Sequence, residues 1–450
     1  MKSINLSRII DESKFNRFHA SVVFWCAFIM IFDGYDLVVY GSVLPVLMEE
    51  WALTSTQAGI LGSAALLGMM LGALIFGPLA DKMGRKNVML TCIAIFSLFT
   101  ALLGFTNGPL EFGIFRFIAG LGLGGIMPNT VALMTEYSPK SLKSVLVSVM
   151  FSGYSIGGMM AAGLAIVMMS QFGWRSLFFI GVLPLLLLPI MYKTLPESPR
   201  FLLIKNQQSK LDSILRKVEP LYTRSENQDF EQIKSEPGAP IAKLFRNGRA
   251  FSTVMFWITF FMCLLMIYGL NTWLPNLMTG AGLSVGSGLM FLFVLNFGAV
   301  LGAIFGGWMA DKWDSKTVLI VFFISAAVSL TLIGFLENII ILNILVGIAG
   351  ASTIGTQIIC NSYISQYYPT EMRSSGLGWA LGVGRLGAIA GPLMGGFLFS
   401  ISLPYYQNFL AFAIPGIIGA ITLLFVQEKY SARKVNESFI KEESEISNIQ

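Results

Sequence analysis

Charge is what this chain has least of. Only 12% of its 450 residues are Asp, Glu, Lys or Arg, about half the share of an ordinary soluble protein. It holds one histidine and four cysteines. Cys26, Cys92, Cys263 and Cys360 fall in apolar runs without metal-ligand spacing, so they read as small packing residues. No nucleophile–base constellation, metal cluster or phosphate-binding loop is visible, which argues against an enzyme and for no cofactor. The polar start MKSINLSRIIDESKFNR runs into a full-length apolar segment with no small-residue cleavage site, so no removable signal peptide is expected.

What fills the chain is hydrocarbon. Hydrophobic residues make up 55% and the mean hydropathy is +0.71. Apolar runs of at least about 18 residues recur throughout, each long enough to cross a bilayer. Barrel strands would alternate over about ten residues, and they do not. The fold class expected is therefore an all-α polytopic membrane protein with twelve transmembrane helices, at roughly 20–43, 57–80, 87–106, 111–136, 142–168, 174–194, 251–275, 283–310, 317–336, 338–365, 374–399 and 405–427. The domain reading is an N-terminus at 1–19, a six-helix bundle at 20–194 and a central loop at 195–250. A second six-helix bundle at 251–427 and a charged, disordered tail at 428–450 follow. All but three of the 30 basic residues (Arg116, Arg175 and Arg385) fall in the termini, the central loop, or the loops on the same side and the span ends that border them. That asymmetry places both ends in the cytoplasm. The net charge of +5 thus reports topology, not nucleic-acid binding. Within the central loop, KLDSILRKV sets Leu211, Ile214, Leu215 and Val218 on one face, which predicts a helix lying at the membrane surface.

The two halves repeat. GPLADKMGRK (77–86) returns as GWMADKWDSK (307–316), so that Gly77, Ala80, Asp81, Lys82 and Lys86 match Gly307, Ala310, Asp311, Lys312 and Lys316. The same gapless offset of 230 pairs Gly68 and Gly72 with Gly298 and Gly302, Gly120 with Gly350, and Tyr137 with Tyr367. Two parallel six-helix halves with a site near midplane is a transporter architecture.

These motifs carry a resemblance. GPLADKMGRK and RFIAGLGLGG (116–125) resemble the loop and fourth-helix signatures of the major facilitator superfamily, and GYSIGGMMAAG (153–163) loosely resembles its fifth-helix signature. DGYD (33–36), YGLNTWLPNLM (268–278) and GWALGVGRLGAIAGP (378–392) resemble the aromatic acid/proton symporters. The resemblance implies the major facilitator fold, two pseudo-symmetric halves, a bacterial inner-membrane location and a monomer. It also implies proton-coupled import of a benzoate- or hydroxybenzoate-like acid. It gives a gating role to the loop residues Gly77, Asp81, Gly84, Arg85 and Lys86, with Asp311 in the second copy. There Trp313, Asp314 and Ser315 replace Met83, Gly84 and Arg85, so that second latch is expected to be weaker.

The repeat also sorts charges. A feature kept in both halves serves the scaffold; a charge in one half alone is a candidate for chemistry. Asp33 maps to Cys263, Asp36 to Met266, Arg116 to Val346, Glu136 to Gln366, and Arg385 back to Ser155. Asp33 and Asp36 are the only charges between Ala20 and Met48. Spaced i, i+3, they share a helix face, which must look inward, because a mid-bilayer carboxylate facing lipid costs at least about 2.5 kcal/mol. Two close carboxylates in a low dielectric do not both ionise easily, so the pair is suited to carry a proton; Gly34 is expected to loosen the helix there. Arg116 either relays charge in proton coupling or pairs with Glu111. Glu136 is a further coupling candidate. Arg385 keeps its charge and offers a two-pronged fork for a carboxylate. It is expected to exchange between an aspartate of the first helix and the substrate carboxylate. Phe32, Tyr35, Tyr268, Asn271, Trp273, Gln357, Asn361, Tyr363 and Trp379 are candidates to hold an aromatic ring. Other organic anions, proton-driven efflux and a non-transporting membrane sensor remain as alternatives; the absence of an appended signalling domain counts against the sensor.

Overall fold

The computed structural model describes residues 5–220, 222, 230 and 241–432, without the side chains of Asp311 and Thr370. Most of the tail expected at 428–450 lies outside the described residues, as does the Asp311 carboxylate expected to gate. Among the described residues, twelve helices are long and apolar enough to cross a membrane. The first six are Arg17–Glu50, Ser55–Met83, Arg85–Leu103, Pro109–Tyr137, Lys143–Phe172 and Arg175–Thr194. The last six are Ala250–Gly280, Val285–Lys312, Ser315–Ile333, Ile339–Tyr367, Thr370–Ser400 and Tyr405–Phe425. Helices dominate because hydrocarbon offers backbone amides no partner outside their own segment.

The repeat governs the helix ends. The third and ninth spans, Arg85–Leu103 and Ser315–Ile333, are displaced by 230 residues at both ends, as are the fourth and tenth, Pro109–Tyr137 and Ile339–Tyr367. It also governs packing. A Cβ at Gly68 would collide with the Phe117 carbonyl, and one at Gly298 with the Gly347 carbonyl. Gly157 meets Ile31 in the first half as Gly387 meets Phe261 in the second. Each pair of partners is again 230 apart, so both halves use the same backbone-to-backbone crossings, which small residues permit.

The copies differ where the motif departs. Gly84 opens the third span with φ +96°, a backbone that favours glycine, and a Cβ there would also strike the Glu197 carboxylate. The equivalent Asp314 has φ −67°, and its carboxylate accepts from the Thr317 amide at 3.1 Å. One copy turns on glycine; the other caps the helix with a carboxylate.

Two expectations change. Gly34 does not loosen the first span, which is helical from Arg17 to Glu50; it lets the fifth span approach, since a Cβ would collide with the Tyr154 carbonyl. The sixth span is broken into Arg175–Ile180 and Leu183–Thr194. The Ser97 hydroxyl enters the break, donating to the Gly181 carbonyl and accepting from the Leu185 amide at 3.1 Å. Inserting a side chain into the i to i−4 ladder is a recognised cause of a kink.

Contacts divide the chain into one unit of residues 1–53 with 64–235 and a second of 54–63 with 236–450. Within the second unit, Ser63 Oγ donates to the Ile389 carbonyl at 2.7 Å, and a Cβ on Gly59 would lie 2.7 Å from the Pro392 carbonyl oxygen. The predicted surface helix is present as Gln208–Val218, with Leu211, Leu215 and Val218 buried.

Candidate functional site

In the first unit the polar centre is built on the first, third and fourth spans. Asp33 and Asp36 sit midway along the first span and are each 1% exposed. Thr100, on the third span, donates its hydroxyl proton to Asp36 Oδ1. Arg116, on the fourth span, is also 1% exposed, stacks its guanidinium 4.5 Å from the Tyr40 ring centroid, and supplies the positive charge that acts on Asp36. Asp36 Oδ2 and Arg116 Nε and Nη1 are buried with no hydrogen-bond partner among the described residues. Such groups are costly to bury. A carboxylate and a guanidinium with spare hydrogen-bonding capacity, held apart on separate helices, form a site where proton gain or loss changes the local charge balance. Arg116 thus lies near Asp36, while Glu111 accepts from the Asn107 amide at 3.4 Å.

The remaining first-half candidates are committed elsewhere. Tyr35 donates to the Leu177 carbonyl at 2.6 Å, and Phe32 packs between Phe28 and Tyr35. Glu136 lies at the far end of the fourth span, 20 residues or about 30 Å from Arg116. There it pairs with Arg85 at 2.5 Å and accepts from Ser198 Oγ at 2.6 Å. The structure thus joins Glu136 to the loop candidates. Asp81 is exposed and lines a hollow of about 340 Å³ with Arg85, Ser198 and Arg200. Lys86 donates its amide to Glu197 Oε1 at 3.1 Å. Gly77 has open space where a Cβ would go.

In the second unit, Arg385 lies midway along the eleventh span, half-buried, with Nη1 3.5 Å from the Tyr268 hydroxyl of the seventh. Asn271 Nδ2 donates to the Ile267 carbonyl at 2.8 Å, while its Oδ1 accepts from Asn296 at 3.1 Å. Gln357 and Asn361 are half-buried and one helical turn apart on the tenth span; Asn361 Oδ1 is buried with no hydrogen-bond partner among the described residues. Three candidates are engaged in other contacts. Trp273 is fully buried, bonded to the Pro392 carbonyl at 2.9 Å and stacked on Phe399. Tyr363 donates to Glu428 at the end of the bundle. Trp379 is 46% exposed and stacks on Trp257.

Reading from sequence missed Thr100, Tyr40, Glu197 and Ser198. Thr100 and Tyr40 carry no charge and leave no mark in one dimension. Glu197 and Ser198 stand in the polar PESPRF segment directly after the sixth span, where a sequence signal is present.

Comparison with known proteins agrees with this architecture. The family model described as Major Facilitator Superfamily matches residues 26–297 and 289–449. The chain is 45% identical over 436 residues to the benzoate transport protein of Acinetobacter baylyi, covering 95% of this chain and 94% of that one. It is 37% identical over 422 residues to the gentisate transporter of Corynebacterium glutamicum, covering 92% and 89%. Among solved structures, the crystal structure of a D-xylose-proton symporter matches with a TM-score of 0.71 at 19% identity, over 90% of this chain and 97% of the other. That last likeness concerns the fold alone.

Proposed function

This chain belongs to the Major Facilitator Superfamily, and on that premise we propose that it imports a small aromatic carboxylate, of the benzoate or hydroxybenzoate type, together with protons. It is a multi-pass membrane transporter, not an enzyme. Transport proceeds by alternating access in a monomer of a bacterial inner membrane, with both termini cytoplasmic and the proton as coupling ion in place of a cofactor.

The observation that carries the coupling is the buried set of Asp36, Thr100, Arg116 and Tyr40. Asp36, with Asp33 on the same helix face, accepts and releases the proton. Thr100 orients the Asp36 carboxylate, and Arg116 answers its charge. Arg385, braced by Tyr268, holds the substrate carboxylate through its two-pronged fork. Asn271, Gln357 and Asn361 line the same half with amide groups for ring substituents. Identity to a benzoate transport protein supports the choice of substrate. The pairing of Glu136 with Arg85, beside Asp81, supports a gating role for that end of the first unit.

The test is uptake of labelled benzoate into proteoliposomes. An inward proton gradient is expected to drive accumulation above equilibrium, and Asp36→Asn is expected to abolish the accumulation while benzoate exchange continues. Equal accumulation with and without the gradient would rule out coupling.

A further inference from the structure

One hollow of the first unit is not needed for substrate binding or proton coupling in this transport scheme. It is a cavity of about 840 Å³ at the basic end of the bundle, lined by Lys86, Lys193, Lys210 and Lys217 with a single carboxylate, Glu197. Glu197 is already engaged, accepting from the Lys86 and Ser198 amides at 3.1 and 2.9 Å. The cavity is therefore strongly cationic.

Its lysines are set by three separate elements. Lys86 opens the third span, and its ammonium lies 4.8 Å from the Tyr192 ring centroid. Lys193 closes the sixth span. Lys210 and Lys217 are two turns apart on one face of the surface helix Gln208–Val218. That helix is pinned from below: Asn16 Nδ2 donates to the Lys217 and Val218 carbonyls at 2.9 and 3.0 Å. The sixth span also carries an exposed apolar stripe. Leu183, Leu186 and Ile190 are 41, 65 and 50% exposed, and their spacing continues to Lys193 on the same helix face. On a membrane-spanning helix, such a stripe is the surface that lipid chains cover.

We propose that this cavity binds the phosphate headgroup of an anionic phospholipid, whose acyl chains run along the Leu183–Leu186–Ile190 stripe. Basic pockets beside spanning helices at the cytoplasmic face attract such headgroups. The inference rests on the membrane reading above, with this end cytoplasmic, but not on the substrate or on proton coupling. A soluble phosphate would satisfy the lysines and make no use of the stripe.

The experiment measures bound lipid rather than transport. The full chain, purified from mixed vesicles of phosphatidylglycerol and phosphatidylcholine with matched chains, is examined by native mass spectrometry. Wild type is expected to retain phosphatidylglycerol preferentially, and K193Q/K210Q/K217Q to retain at least about tenfold less. K140Q/K205Q/K429Q, which removes as much charge away from the cavity, is expected to behave as wild type, and millimolar inorganic phosphate is expected not to displace the lipid. Equal retention in the two triple variants would overturn the site. Displacement by inorganic phosphate would overturn its assignment to lipid.

Discussion

The sharpest prediction concerns the buried charges Asp36 and Arg116. The two side chains are each 1% exposed and lie on different spans. At separations of about 4 Å or more, with an effective dielectric constant near 20, opposite unit charges attract by about 4 kcal/mol or less. Removing either partner leaves the other buried and uncompensated, which typically costs about 3–5 kcal/mol. Asp36→Asn and Arg116→Gln are therefore each expected to destabilise the protein by about that amount. The double variant removes both charges together. Its loss is expected to fall short of the summed single losses by about 2–4 kcal/mol, a coupling of the kind a double-mutant cycle isolates. Denaturant unfolding of the purified protein, completed for all four forms, gives the cycle. The transport readout moves differently: gradient-driven benzoate accumulation is expected to be lost in both single variants and not restored in the double. Additive stability losses, within about 0.5 kcal/mol, would show that Asp36 and Arg116 do not sense one another and would remove the charge argument for coupling.

Three further outcomes are expected. Arg385→Lys keeps the charge but not the fork, so half-saturating benzoate should rise at least about tenfold while expression is unchanged; a wild-type value would take Arg385 out of carboxylate binding. Gly387→Ala forces a Cβ onto the Phe261 carbonyl, whereas Gly382→Ala meets open space on the same helix. The first should sharply reduce folded protein in fluorescence-detected size-exclusion chromatography, and the second should leave it unchanged. Ser97→Ala strands the Gly181 carbonyl and the Leu185 amide at the break in the sixth span, at about 1–3 kcal/mol for a buried unsatisfied group. Hydrogen exchange at Leu185 should accelerate, and unchanged exchange would mean that the hydroxyl does not hold the kink.

The linear record was most informative where lipid imposes its rules. A span must satisfy its own backbone and exclude charge, so twelve apolar runs became twelve helical spans among the described residues, the sixth of them broken, and a gapless offset of 230 became matched helix ends and matched glycine crossings. The same rule made Asp33, Asp36, Arg116 and Arg385 conspicuous, because each charge inside an apolar run costs enough to need a reason. Glu136 shows where this stops: its sequence position beside the span end is compatible with several partners, and Arg85 was one of them only after folding.

What the sequence alone determined was therefore the number of spans, their pairing into two halves and the identity of the isolated charges, all consequences of hydrocarbon acting on one segment at a time. What only tertiary structure decided was partnership. Thr100 meets Asp36, Arg116 lies over Tyr40, and Ser97 opens the sixth span because neighbouring helices cross at particular depths and rotations. Those angles come from how side chains of different helices interlock, and no spacing within a single helix records them.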